Sequence, residues 1–247
     1  MRSKITVAGV GGAAIAHRLS QRGYADLIVT ESKPPDGWDA AAGSVLIVLA
    51  GKPGDRKAAG AAADEIRDRL PDTIVLITGE PSAALCDLVL DATAFPRQRV
   101  LGLGTVLESM RLRAAVARAA GVAPRDVTGL VLGTAERPVP VVSTITIAGL
   151  PADQVLYADD LDGLVAAAAA EERPSEHVVA DAVAEIADAV VLDHKRVLPC
   201  AVSTQGEYDL EGDCVALPVR IGRDGVEAIL EVALTDAERR ALEQAAR

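Results

Sequence analysis

The amino-acid sequence predicts an α/β protein: a doubly wound parallel sheet followed by an α+β domain. Short apolar runs alternate with segments of helical periodicity in the first part of the chain, and this alternation is typical of parallel sheets covered by helices. After about residue 105, a long amphipathic segment is followed by extended segments and a terminal helix. We therefore expect two domains, which comprise residues 1–105 and residues 106–247.

The elements of the first part follow from its apolar runs and turn residues. Strands are predicted at 4–8, 26–30, 44–49, 73–78 and 99–101, and helices at 13–22, 58–70 and 81–92. The segment 32–43 contains Pro34, Pro35 and Gly37, so it is predicted to be a loop that lacks a full helical crossover.

The second part begins with a predicted helix at 106–120, which Gly121 ends. Strands at 127–132 and 144–148 flank a proline-bearing turn, and the alanine run 166–170 and the segment 175–191 are predicted to be helical. Extended segments are predicted at 215–221 and 225–230. The terminal helix starts at Thr235, which forms a capping box with Glu238.

A glycine-rich turn connects the first predicted strand to the first helix. Gly9 permits a sharp turn, Gly11 lets the backbone approach a pyrophosphate, and Ala14 is small enough for the helix to lie close to its strand. The following helix amino terminus offers unpaired N–H groups to the phosphates. With Gly12, these residues predict a Rossmann-type dinucleotide-binding domain.

An acidic residue ends the second predicted strand and indicates which dinucleotide binds. Glu31 follows Gly9 by 22 positions, close to the spacing at which an acid meets the adenosine ribose. A carboxylate there favours a free 2′-hydroxyl and repels a 2′-phosphate. We therefore expect NAD rather than NADP.

Composition excludes several other classes of function. The net charge of −11 and the aromatic content of 2% argue against a nucleic-acid partner, and the charge also argues against an anionic membrane. No apolar run reaches the roughly 18 residues of a membrane span, and no signal peptide is recognised. Cys86, Cys200 and Cys214 are widely spaced in apolar surroundings, so we expect buried thiols, a cytoplasmic protein and no metal site.

Several ordered blocks of the sequence resemble the lactate/malate dehydrogenase family, and its malate branch in particular. The similarity spans nearly the whole chain and is carried by the glycine turn and by the blocks Val48–Pro53, Thr78–Pro81, Leu107–Arg113, Val131–Gly133, Lys195–Cys200 and Gly206–Tyr208. The resemblance implies hydride transfer between NAD and a small anionic 2-hydroxy or 2-keto acid, and association as homodimers or homotetramers. It also adds Gly51 to the cofactor-binding candidates, which are Gly9, Gly11, Gly12, Ala14, Glu31 and Gly51.

Two candidate catalytic residues match the family's motif within the long helix. Arg111 stands where the family has an arginine that grips the substrate carboxylate, although a helix-surface arginine is the alternative. Glu108 stands where the family has an aspartate that orients the catalytic histidine, and its side chain is one methylene longer. Alternatively, Glu108 is simply an acid near the positive end of the helix dipole.

The position of the family's proton-relaying histidine is the main departure. The segment Gly133–Pro140 is one residue shorter than the family's and contains no histidine. Glu136 would relay a proton only if burial raised its pKa, and a solvated turn is the alternative. Glu80 replaces the family's asparagine, and an ionised carboxylate there cannot donate a hydrogen bond.

The remaining substrate-binding candidates are Arg56 and Ser175. Arg56 lies two positions from the first arginine of the family's mobile loop, which is shortened here. Ser175 falls where the family places a small residue beside the substrate, although a helix N-cap explains it equally well. His177 is the nearest histidine that would enter the cleft, whereas His17 and His194 are predicted to lie on the surface.

Three hypotheses about function remain open at this point. The first is an NAD-dependent oxidoreductase of 2-hydroxy or 2-keto acids with altered acid–base machinery. The second is a catalytically inactive NAD-binding homologue that acts as a regulatory or interaction protein. The third is another reaction on the same fold that uses Glu80, Glu108 or Glu136 as the acid or base.

Overall fold

The structure of the chain is a computed structural model. The residues that the structure describes are 3–9, 11–23, 25–30, 36–51, 55–157, 161, 163–166 and 175–247. The loop 52–54 and Glu31 therefore lie outside the described residues.

The amino-terminal part alternates strands and helices, as its apolar pattern predicts. Its elements are β1 Ser3–Ala8, α1 Gly12–Ser20, β2 Ala25–Thr30, α2 Asp36–Ala40, β3 Leu46–Leu49, α3 Arg56–Arg69, β4 Ile74–Ile77, α4 Ser82–Thr93 and β5 Val100–Gly102. The five strands are parallel and adjacent in the order β2-β1-β3-β4-β5. Every residue of β3 and β4 is buried, which explains their unbroken apolar sequences.

The carboxy-terminal part combines antiparallel strands with helices. Its elements are α5 Val106–Ala120, β6 Val127–Gly133, β7 Pro138–Ile147, β8 Leu150–Pro151, α6 Glu176–Val191, β9 Arg196–Gln205, β10 Glu211–Gly222, β11 Gly225–Ile229 and α7 Asp236–Ala246. Short 3₁₀ helices occur at Arg97–Arg99, Pro124–Asp126, Ala152–Gln154 and Glu207–Asp209.

The strands of the described residues join a single sheet of 11 strands that runs through both parts. The parallel part meets the antiparallel part where Gly102 of β5 pairs with Ala201 of β9. Ala216 of β10 then pairs with Gly133 of β6, and the sheet ends at β8.

The core is aliphatic and rich in alanine. Along α6, eight of the residues are buried, and they include Ala180, Ala184 and Ala187, so this helix is enclosed by α1 and by the sheet. Small side chains let helices approach closely, so alanine replaces the large rings that the composition lacks.

Two predictions of secondary structure were wrong. A short helix, α2, lies inside the segment predicted to be a loop. The strand predicted to begin at residue 144 begins at Pro138, because a proline is tolerated at the first position of a strand. The sequence analysis also missed β9, in which Pro199 lies opposite Pro218 of β10.

Several local predictions are confirmed. Gly121 ends α5 in the left-handed conformation, and Thr235 and Glu238 form the capping box of α7. The three cysteines are buried.

Among the described residues, no helix is both long enough and apolar enough to cross a membrane.

Candidate cofactor and substrate site

The turn between β1 and α1 requires glycine at its first position. Gly9 has a φ of +103°, and a Cβ atom there would lie 1.9 Å from the carbonyl oxygen of Ala50. The end of β3 thus packs directly against the turn, where the amide of Ala50 donates to the carbonyl of Ala8 at 2.7 Å. Gly9 has the conformational role that the sequence predicts for it.

The next two glycines shape the start of α1. Gly11 is the N-cap in the left-handed conformation, and no side chain among the described residues caps the helix. Among the described residues, a Cβ on Gly11 would meet only a carboxylate oxygen of Glu176, at 4.0 Å, so Gly11 is loosely packed on this side. A Cβ on Gly12 would lie 2.8 Å from Cγ1 of Val7. Gly12 therefore provides the close helix–strand approach that we predicted for Ala14, which packs against the core from a partly buried position.

Gly51 lies at the carboxyl end of β3, on the wall of a cavity that also includes Gly9. The cavity contains about 500 Å³ of space between atoms, part of it open to solvent. Ligands of open α/β sheets bind outside the carboxyl ends of the strands, and this cavity has that position.

The first turn of α5 is attached to β6 by two hydroxyl groups. The Thr105 hydroxyl donates to the carbonyl of Val131, and the Ser109 hydroxyl accepts from the amide of Val131 at 2.9 Å. These bonds hold the start of the helix in place, so the backbone of Glu108 and Arg111 is well positioned.

Glu108 and Arg111 lie side by side in a largely buried environment. Their side chains are 9% and 16% exposed, and Nη1 of Arg111 is 3.8 Å from Oε1 of Glu108. Oε2 of Glu108 is buried and has no hydrogen-bond partner among the described residues. Burial raises the pKa of Glu108 and repulsion from Glu136 adds to the rise, while a backbone hydrogen bond and Arg111 oppose it. The Arg111 side chain is therefore partly buried rather than fully exposed on the helix surface.

The segment that lacks the family's histidine is a tight turn. The amide of Thr134 donates to the carbonyl of Arg137 at 3.2 Å, and the amide of Arg137 donates back at 3.1 Å. Glu136 is exposed in this turn, as the solvated alternative predicts. Glu80 accepts a hydrogen bond from the amide of Ser82 at 2.9 Å, so its carboxylate supports the start of α4.

The other candidates lie at the amino termini of two helices. Arg56 is the exposed first residue of α3, next to Asp55, whose carboxylate caps the helix through the amide of Ala58. Ser175 is the exposed N-cap of α6, although its hydroxyl makes no capping hydrogen bond to the described residues. Because Glu176 reaches toward Gly11, Ser175 lies at a helix end that adjoins the glycine turn.

Residues 105–247 match the model of the lactate/malate dehydrogenase alpha/beta C-terminal domain. The malate dehydrogenase of Thermomicrobium roseum is 32% identical, over 100% of this chain and 96% of that protein. This chain belongs to the lactate/malate dehydrogenase family.

Solved structures of lactate and malate dehydrogenases share the fold of this chain. The malate dehydrogenase of Cryptosporidium parvum has a TM-score of 0.91 and 23% identity, and covers 99% of this chain and 96% of its own. A lactate dehydrogenase of the same organism, in complex with lactic acid and NAD, has a TM-score of 0.90 and 22% identity, with 99% and 95% coverage.

This member of the lactate/malate dehydrogenase family is shortened internally. The alignment with the Thermomicrobium roseum enzyme extends over 303 residues, 56 more than the 247 of this chain. One short connection is the segment between β2 and β3, in which α2 is a helix of five residues.

Two residues near the glycine turn were missed by the sequence analysis. Trp38 lies on the cavity wall, and the carboxylate of Glu176 faces Gly11. The one available signal for Trp38 was that it is the only tryptophan in the sequence. Glu176 carried no signal, because only the packing of α6 against α1 brings it to the turn.

Proposed function

We propose that this chain is an NAD-dependent oxidoreductase that acts on a 2-hydroxy acid or the corresponding 2-keto acid. The observation that carries the proposal is that no side chain among the described residues caps the amino terminus of α1 behind Gly11, in a member of the lactate/malate dehydrogenase family. A helix amino terminus whose backbone amides are not capped by a side chain is suited to bind a phosphate.

The residues of the glycine turn fit a dinucleotide. Gly9, Gly11, Gly12 and Ala14 would hold the pyrophosphate, because Gly11 leaves open the space that a larger residue would fill. Gly51 would border the cofactor from the end of β3, and Glu31 would accept hydrogen bonds from the adenosine ribose. The nicotinamide, when bound, supplies or accepts the hydride.

Arg111 is the proposed anchor for the substrate. Its guanidinium would form a two-bonded pair with the carboxylate of a small anionic acid, and a largely buried arginine does this better than an exposed one. Ser175 and Arg56 would contribute a hydroxyl and a positive charge. Malate dehydrogenase activity in the relative from Thermomicrobium roseum supports this substrate class.

Glu108 is the proposed acid–base group of the altered machinery. Of the three acids that the sequence left open, Glu136 is exposed and Glu80 supports a helix end, whereas Glu108 is buried and its pKa is raised. A carboxyl group with a raised pKa is able to donate a proton nearer neutral pH. When a keto acid is reduced, the O–H bond of Glu108 breaks as the substrate O–H bond forms, and water reprotonates the carboxylate.

Turnover is expected to be slow. A relay by general acid–base catalysis is worth roughly 10²–10⁴-fold, and the histidine that normally provides it is absent from Gly133–Pro140. The second candidate function is therefore a catalytically inactive NAD-binding homologue with a regulatory or interaction role. The exposed turn around Glu136 favours this alternative, since nothing in it resembles a proton relay.

We further propose that the protein is cytoplasmic and forms a homodimer or homotetramer. The family implies the association, and the three cysteines without a disulfide support a reducing compartment. The net charge of −11 disfavours nucleic acid and anionic membranes as partners.

The decisive experiment measures binding and turnover separately. NADH and NADPH are titrated by nicotinamide fluorescence, and NADH oxidation is followed with oxaloacetate, pyruvate and a panel of 2-keto acids. We expect NADH to bind more tightly than NADPH, with turnover of at least one acid that falls further in R111A. Absence of NADH binding overturns both functions, binding without any turnover selects the inactive homologue, and ordinary dehydrogenase rates contradict the altered machinery.

A further inference from the structure

The cavity beside the glycine turn has an apolar wall. It lies at the carboxyl ends of β1, β3 and β4 and is lined by Leu49, Ile77, Leu85, Ala58, Ala59 and Ala62. Asp55 is the single charged residue on its described wall, and the Asp55 carboxylate already accepts the amide of Ala58 at 3.0 Å. Such a lining suits an uncharged aromatic group and disfavours a phosphate.

Trp38 forms one side of this cavity. It lies on α2, in the short connection between β2 and β3, and is 7% exposed. A tryptophan presents a large planar surface, on which a flat heterocycle stacks with little dependence on its hydrogen-bonding groups.

Neighbouring elements hold α2 in position. Nζ of Lys4, at the start of β1, donates to the carbonyl oxygens of Ala40 and Ala42 at 3.2 and 2.7 Å. Asp39 forms an ion pair with Arg69 at the end of α3. The helix is thus tied to both β1 and α3, so Trp38 is oriented before any ligand arrives, which lowers the entropic cost of binding.

We propose that Trp38 is the aromatic wall against which the adenine of the dinucleotide packs. The inference rests on the proposed function, because a base reaches this cavity when its pyrophosphate lies at the Gly9–Gly12 turn. The cavity adjoins that turn through Gly9, and its aliphatic residues would cover the edges of the base. The short connection between β2 and β3 would thereby take part in recognising the cofactor.

The first test uses the wild-type protein and its single tryptophan. All tryptophan emission comes from Trp38, because the sequence contains no other tryptophan. The probes are AMP and ADP-ribose, which carry adenine and do not absorb tryptophan emission, so a change reports a nearby group rather than long-range energy transfer. We expect both ligands to change the emission, and the change should saturate at the same ligand concentrations as binding measured by calorimetry.

The second test compares variants by calorimetry with NADH, ADP-ribose and AMP. W38A should weaken the binding of all three ligands by about tenfold, since they share the adenine and differ elsewhere. W38F keeps an aromatic face and should recover most of the affinity. The control is F95A: Phe95 packs against the same core cluster but is not among the described residues that line the cavity. F95A should lower stability without weakening adenine binding.

Failure of the inference differs from failure of the proposed function. One result would overturn the inference: NADH binds, AMP and ADP-ribose leave the emission unchanged, and folded W38A or W38F binds like wild type. Trp38 would then not contact the adenine. The same conclusion follows if W38A weakens the binding of NADH but not the binding of AMP. If the wild type binds none of the three ligands, the proposed function falls and this inference falls with it.

Discussion

At the scale of single residues, Glu108 has a carboxylate whose environment penalises its charge. Its buried Oε2 lacks a hydrogen-bond partner among the described residues, and the guanidinium of Arg111 is 3.8 Å from the other oxygen. Burial is the largest cause of its raised pKa. A carboxyl group whose pKa is higher in the folded than in the unfolded state loses stabilisation as pH rises from the unfolded pKa through the folded one.

We therefore expect E108Q to gain stability relative to wild type as pH rises from acidic to neutral values. The gain above the folded pKa should be on the order of 1 kcal/mol, the usual cost of an unsatisfied buried polar group. Urea unfolding at pH 4.5 and pH 8 measures it, with E211Q, an exposed carboxylate, as the control. Equal differences between E108Q and wild type at the two pH values would show that Glu108 has an ordinary pKa.

Glu176 places a carboxylate next to the proposed phosphate site. Its Oε1 is 4.0 Å from the position that a Cβ of Gly11 would take, so its charge opposes a bound pyrophosphate. We expect E176Q to bind NADH about fivefold more tightly at low ionic strength, because a charge pair at this range in water contributes about 1 kcal/mol. Added salt should shrink the difference. Weaker binding by E176Q in calorimetry would mean that this carboxylate helps to hold the ligand.

At the scale of elements, the contact between α1 and β1 depends on a missing side chain. A Cβ on Gly12 would lie 2.8 Å from Cγ1 of Val7, whereas a Cβ on Gly60 in α3 would lie 3.7 Å from Cδ2 of Leu88. The first distance is a clash with the fully buried side chain of Val7, and the second is an ordinary contact.

Alanine should thus have opposite effects at these two helical glycines. G12A is expected to lower the free energy of unfolding by about 1–3 kcal/mol through overpacking. G60A is expected to raise it by roughly 0.5–1 kcal/mol, because alanine loses less backbone entropy on folding than glycine. Chemical denaturation of both variants tests the pair. A stable G12A protein would indicate that α1 lies further from β1.

At the scale of the whole molecule, one sheet connects the glycine turn to α5, the helix that carries Glu108 and Arg111. The glycine turn leaves the sheet after β1, and α5 follows β5, where the parallel strands give way to β9 through the pairing of Gly102 with Ala201. The helix α6 lies along α1, and its first turn reaches Gly11. Residues far apart in the chain thus converge on the cofactor end of the sheet.

The pattern of the chain predicted most elements because burial imposes strict periodicity. Buried strands such as β3 and β4 are apolar at every position, and the end of α5 is marked by Gly121. The helix α2 and the strand β9 were not predicted, since prolines and glycines nearby are local turn signals that tertiary pairing overrides.

The sequence by itself determined the fold class, the glycine turn and the absence of a histidine from the segment Gly133–Pro140, because these depend on residue identity and local order. Only the tertiary structure decided that Glu108 is buried while Glu136 is exposed, and that Trp38 and Glu176 adjoin the turn. The physical reason is that solvation and contact depend on which distant segments pack together, and no local pattern records that packing.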